Sequence, residues 1–127
     1  MEQSEPPSRG LEPQPGHTVL VVEDEVLVRL AVAGYLRDRG FQVLEAANGA
    51  EAVAILSADI AVDVVCSHVQ MPGDLNGFAL ARWVRSNRPS VQTLLTSGHV
   101  GEDDPMPLHQ PYNYESILHH IRRALAQ

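Results

Sequence analysis

An α/β fold with a parallel sheet covered by helices on both faces is the architecture this sequence predicts, and three observations carry it. Short apolar, β-branched runs recur at residues 18–22 (TVLVV), 41–45 (FQVLE), 62–67 (VDVVCS) and 91–96 (VQTLLT). Segments of helical apolar spacing lie between them, so strands and helices alternate along the chain. Runs such as TVLVV are apolar at successive positions, which marks strands buried on both faces, and a parallel sheet buries them in that way.

Each element follows in order. Residues 1–16 hold Pro6, Pro7, Pro13 and Pro15 among Ser, Gln and Glu, a composition that buries too little apolar surface to order itself, and are expected to form a flexible tail before a domain over residues 17–127. The first strand ends abruptly in Glu23, Asp24 and Glu25. Residues 26–39 then carry Leu27, Leu30, Ala31 and Tyr35 at helical spacing, with Gly40 as a natural stop. After the second strand, Asn48 is placed to cap a helix that runs to about residue 57. Asn76 and Gly77 open another helix, with Phe78, Ala81 and Val84 on one face, which ends near Asn87 before Pro89. The last helix, residues 114–126, aligns Ile117, Leu118, Ile121 and Leu125 and places Arg122 and Arg123 at its C-terminal end, where the helix dipole favours cations. The stretch from Thr96 to Gln110 contains Gly98, Gly101, Pro105 and Pro107. It has room for at most a turn of helix, followed by a short fifth strand at residues 106–109 on the sheet edge, where Pro107 is tolerated.

The 127 residues bound the chain to about one domain. A net charge of -7 disfavours nonspecific binding to nucleic acid or to anionic lipid. No apolar run approaches the roughly 20 residues that span a bilayer, so a cytoplasmic protein is expected. Cys66 is the single cysteine, and in its apolar run it reads as a buried, reduced thiol. All nine basic residues are arginine, and there is no lysine.

Chemistry is sought at the carboxyl ends of parallel strands, where such sheets bind ligands. Glu23 and Asp24 end the first strand, His68 the third, Thr96 and Ser97 the fourth, and His109 and Gln110 the fifth. The stretches VLVVEDE (19–25), HVQMPGDLNGF (68–78), LLTSG (94–98) and QPY (110–112) resemble, in order and spacing, the receiver domain of bacterial two-component response regulators. That resemblance implies a flavodoxin-like, doubly wound five-stranded parallel sheet of order 2-1-3-4-5, here with the fourth helix shortened or missing.

In such receivers the acidic pair helps to hold Mg²⁺, an aspartate four residues before the proline of the Met-Pro pair accepts a phosphoryl group, a hydroxyl ends the fourth strand, and a lysine precedes the proline after the fifth. Carried over, the acidic pocket falls on Glu23 and Asp24 and the switch hydroxyl on Thr96. The phospho-acceptor position falls on His68 and the lysine position on Gln110, so both central groups are replaced.

An aspartyl phosphate needs a carboxylate nucleophile, a divalent cation and a fixed positive charge. Phosphorylation on Asp is therefore not expected, and the Mg²⁺ site is expected to be impaired, with no cofactor. An imidazolium at position 68 would pair with Glu23 and Asp24 and lock the pocket instead. The other readings of His68 are a metal ligand with Glu23 and Asp24, or a phosphohistidine, which would make the chain a small metal-binding or phosphohistidine protein. His119 and His120 sit at consecutive helical positions and read as a solvated face. Trp83 lies at the flank of its helix and reads either as an interface anchor or as a residue packed on its neighbours.

The expected protein is an atypical, stand-alone receiver that is not an enzyme and works by protein contacts with a sensor kinase or another response regulator. Neither nucleic acid nor membrane is an expected partner, and a homodimer is left open.

Overall fold

The structure is a computed structural model that describes residues 17–71, 73–96 and 114–126. Four strands, β1 (Thr18–Val22), β2 (Gln42–Ala46), β3 (Val64–His68) and β4 (Gln92–Thr96), alternate with α1 (Val26–Asp38), α2 (Gly49–Ser57) and α3 (Gly77–Asn87), and α4 (Tyr114–Leu125) follows. The sheet is parallel throughout in the order β2-β1-β3-β4, as expected. The expected fifth strand, the shortened crossover before it and the N-terminal tail lie outside the described residues.

β1 explains why its sequence is apolar at every position. Val19 and Val21 enter one core with Val64 and Cys66 of β3 and with Val32, Leu36, Ile117 and Ile121 of α1 and α4. Leu20 and Val22 point the other way, into a core built with Val65, Ala52, Leu56, Leu80 and Val84, so α2 and α3 cover the second face. Alternate side chains of a strand leave on opposite faces, so each face needs its own apolar set. At the amino-terminal ends of the strands, Asp63 ties three of them together. Its carboxylate and amide bond the Thr18 N–H and carbonyl at 2.8 and 2.9 Å, and its carbonyl accepts from the Gln92 N–H at 3.0 Å.

The helix ends obey local chemistry. Asn48 and Asn76 accept from the backbone N–H of Glu51 and Ala79 at 2.8 and 2.9 Å, capping α2 and α3. After α1, the N–H of Gly40 bonds the Arg37 carbonyl at 3.0 Å and that of Phe41 bonds Leu36 at 3.2 Å. Gly40 has φ 97°, the left-handed residue this closing motif requires. Glu45 on β2 receives Arg29 and Arg37 of α1, each at 3.2 Å, and holds that helix over the sheet.

Two expected helix faces are corrected. α1 buries Val32, Ala33 and Leu36, while Leu27 is 80% exposed and Leu30 and Ala31 are also exposed; Tyr35 is half-buried. The helix is apolar on most of its circumference, so periodicity left two stripes available and the crossover geometry selected between them. α3 buries Gly77, Leu80 and Val84, and Phe78 is 54% exposed. Gly77 must face the sheet there, and a residue one position on is turned about 100° away on a helix of 3.6 residues per turn. The stripe expected on α4 is the buried one, with Ile117, Leu118 and Ile121 inside. Trp83 is half-buried against the core beneath α2 and α3. Among the described residues no helix is long and apolar enough to cross a membrane.

Cys66 is buried in the α1–α4 core, and burial, aided by repulsion from the Glu23 carboxylate, pushes its thiol from 9.0 up to about 12. The unfolded chain releases this proton near pH 9 and the folded chain holds it. The stabilisation is therefore complete below pH 9 and erodes above it, by about 1.4 kcal/mol per pH unit. In paired denaturant titrations, the stability advantage of the wild type over Cys66→Ala should shrink progressively from pH 8 to pH 10.5. A difference that stays constant over that range would contradict the assignment.

Candidate functional site

The rim at the carboxyl ends of β1 and β3 is where the chain's polar chemistry is assembled. The pairing register sets Val22 beside Ser67 and His68 beside Thr96, so the residues that leave β1, β3 and β4 emerge at one level. Glu23 is only 5% exposed. It is held from several sides: its N–H bonds the Ala46 carbonyl at 3.0 Å, its carbonyl accepts from Arg29 Nη1 at 2.9 Å, and its Oε2 accepts from the Glu25 N–H at 3.1 Å. Asp24, next along the loop, is exposed.

His68 is fixed just as firmly through its backbone. Its carbonyl accepts from Ser67 Oγ at 2.9 Å. The following residue is clamped twice, because the Val69 N–H bonds the Thr96 carbonyl and the Val69 carbonyl accepts from the Gly77 N–H, both at 2.8 Å. The imidazole, mostly buried, places Nδ1 3.5 Å from Glu23 Oε1. That is longer than the roughly 2.7–2.9 Å of a charge-assisted hydrogen bond. The two groups are neighbours, and Asp24 completes a set: one ligand atom from each of Glu23, Asp24 and His68 lies within 4.8 Å of the others. Chemically this is a mixed donor set of two carboxylates and one imidazole.

Thr96 is buried, and its Oγ1 lies 3.5 Å from the Ser67 carbonyl, to which it donates. The structure thus brings Glu23, Asp24, His68 and Thr96 to one rim. Gln110 and Ser97 lie outside the described residues. His119 and His120 are both exposed on α4, far along the chain from this rim set, and His120 Nδ1 is 2.8 Å from the Ser116 carbonyl.

Sequence reasoning missed the parts that hold the site. The sequence marks Gly77 only as a helix opener, yet a Cβ there would lie 2.5 Å from the His68 carbonyl oxygen and 2.8 Å from Val69 Cα. Gly49 is equally confined, with the Leu75 carbonyl oxygen at 2.5 Å. The signal was present: the dipeptide Asn-Gly opens both α2 and α3, the Asn as cap and the Gly as the point of closest approach. Arg29 was also unforeseen, since its two partners, Glu23 and Glu45, come from different strand ends.

Among known proteins, residues 19–111 match the model that represents the response regulator receiver domain. The chain belongs to that family. It is a receiver domain of two-component signalling. A segment of the sensor kinase CckA of Brucella abortus is 41% identical over 84 residues, 65% of this chain and 9% of that protein. A cyclic di-GMP phosphodiesterase of Thermotoga maritima is 31% identical over 119 residues, 85% of this chain and 31% of that protein. The receiver thus spans well under a third of the length of the first of these curated relatives and about a third of the second. The solved receiver domain of the hybrid histidine kinase CckA superposes with a TM-score of 0.71 at 31% identity, covering 85% of this chain and 98% of that one. A receiver protein of Sinorhizobium medicae, at 24% identity, shares the fold with a TM-score of 0.76 over 87% of this chain and 95% of its own.

Gly77→Ala tests the clamp beneath His68. Alanine is the better helix former by up to about 1 kcal/mol, but the added methyl meets backbone rather than a yielding side chain, and overpacking of that kind costs typically 1–3 kcal/mol. A net loss of about 1–2 kcal/mol in denaturant unfolding is expected. An unchanged or raised midpoint would show that the contact yields freely.

Proposed function

We propose that this receiver acts in two-component signalling through protein contacts, as a cytoplasmic partner of a sensor kinase or of another response regulator, and without an aspartyl phosphate at its rim. The observation that carries the reading is an imidazole at the end of β3, beside Glu23, at the position where the family resemblance puts the acceptor carboxylate. An imidazole attacking phosphorus forms an N–P bond and not the acyl phosphate. The chain has no lysine to place a fixed cation on phosphoryl oxygens, and Gln110 is neutral. Mg²⁺ demands oxygen ligands in near-octahedral geometry. A donor set with a nitrogen in place of one carboxylate oxygen does not fit it.

Support for a contact role comes from the surface of α1. Val26, Leu27 and Leu30 are all half or more exposed within the first turns after Glu23, a set of apolar side chains beside the rim. Scattered exposed apolar residues need no explanation, but adjacent ones on one helix suit a partner. The likeness to a segment of a sensor kinase suggests how the contact is used. A receiver that docks like the kinase's own receiver but accepts no phosphoryl group from it occupies the kinase and competes for it.

Incubation of the full chain with acetyl phosphate and Mg²⁺ should leave its intact mass unchanged. A stoichiometric gain of one phosphoryl group mapped to an aspartate would overturn the reading, and a gain mapped to His68 would replace it with a phosphohistidine relay. His68→Asp should recover Mg²⁺ binding by calorimetry while being phosphorylated only poorly, since Gln110 still supplies no cation. Leu27→Glu should leave the melting temperature within about 2 °C of wild type, because an exposed substitution changes stability by no more than about 0.5 kcal/mol. The same substitution should weaken capture of a receiver-recognising kinase at least tenfold. Unchanged capture would move the contact surface elsewhere.

A further inference from the structure

We infer that Glu23, Asp24 and His68 form a binding site for a borderline transition-metal cation of the Zn²⁺ class. The inference builds on the reading that this rim no longer serves Mg²⁺ and phosphoryl chemistry.

The geometry supports it first. A tetrahedral cation with ligands at about 2.0–2.2 Å separates a coordinating nitrogen from a coordinating oxygen by roughly 3.4 Å. His68 Nδ1 and Glu23 Oε1 stand 3.5 Å apart, a spacing too long for a tight ionic hydrogen bond and suited to two donors that share an ion. One donor atom from each of Glu23, Asp24 and His68 falls within 4.8 Å of the others, and Asp24 is exposed at the edge of the set.

The donor chemistry supports it second. Two carboxylates and one imidazole make a mixed nitrogen and oxygen set, and imidazole favours Zn²⁺, Cu²⁺ and Ni²⁺ over the hard cations. Three protein ligands leave a fourth position for water or for an atom of a partner, the pattern of open zinc sites.

The supporting shell comes third. The Glu25 N–H holds the second oxygen of Glu23 at 3.1 Å, and the backbone of residues 68 and 69 is clamped to Ser67, Thr96 and Gly77. Two ligands therefore sit on restrained backbone, which lowers the ordering that binding must impose. An ion here would cross-link the loop that precedes α1 to the end of β3, and so would stiffen the base of the exposed apolar surface carried by Val26, Leu27 and Leu30.

The test is titration of the EDTA-treated full chain with ZnCl₂ and, separately, MgCl₂, by calorimetry and thermal melting, for wild type, His68→Ala, His68→Gln, Asp24→Asn and the double variant His119→Ala/His120→Ala. Melting each variant in EDTA establishes that it folds. One Zn²⁺ per chain is expected, bound at least 100-fold more tightly than Mg²⁺ and raising the melting temperature. Both His68 variants and Asp24→Asn should weaken Zn²⁺ binding at least tenfold, and the double variant should bind as wild type does. Zn²⁺ affinity that survives loss of His68, that disappears with His119 and His120, or that does not exceed Mg²⁺ affinity would overturn the site. Failure here leaves the phosphorylation reading untouched, since that reading stands or falls on the phosphodonor assay.

Discussion

Burial of β1 on both of its faces is the constraint on which the rest of the molecule depends. The strand lies between β2 and β3, sends Val19 and Val21 to one core and Leu20 and Val22 to the other, and thereby requires helices above and below the sheet. No polar side chain can be accommodated along its length without a partner, so the chain's acids are displaced to the point where the strand leaves the sheet. Glu23 and Asp24 stand at the rim for that reason. The same double burial of Val64, Val65 and Cys66 carries His68 to the neighbouring strand end.

Bringing strand ends to one level does not by itself make a site; the loops must be held. Here backbone contacts hold one side of the site and side chains brace the other. Val69 is bonded to the Thr96 carbonyl on one side and to the Gly77 N–H on the other, and α3 can approach that closely only because residue 77 has no Cβ. Arg29 supplies a second brace, joining the Glu23 carbonyl to Glu45 and so coupling α1, the rim and β2. The stacked rings of Tyr35 and Tyr114, with centroids 5.1 Å apart, connect α1 to α4 on the same side of the sheet.

Within that frame the side chain at position 68 sets the charge of the rim cluster. A carboxylate at position 68 would add a third anion to Glu23 and Asp24 and demand a cation to neutralise the cluster. The imidazole removes that demand, bringing a neutral nitrogen donor or a positive charge of its own. His68 sits at the last position of β3, where its backbone is registered with Thr96 and its side chain leaves the sheet beside Glu23. The receiver scaffold is retained with an imidazole at the end of β3.

Much of this was legible from residues alone. Strand runs, their parallel arrangement, the asparagine caps at 48 and 76, the stop at Gly40 and the inward stripe of α4 are local signals. Apart from the parallel arrangement, which the alternation of strands and helices along the chain implies, each depends on neighbours within one turn or one strand, and the sequence by itself determined them. The rim set of Glu23, Asp24, His68 and Thr96 was legible too, because a parallel sheet exposes strand ends on one edge by its topology. What the tertiary structure alone decided was which face of an all-round apolar helix turns inward. Leu27 and Leu30 fit the helical period as well as Val32 and Leu36 do, and only the seat of α1 on β1 and β2 breaks the tie. The role of Gly77 and the reach of Arg29 were likewise hidden, since both depend on distances between segments remote in the chain. A period describes one element, whereas burial is a relation between two.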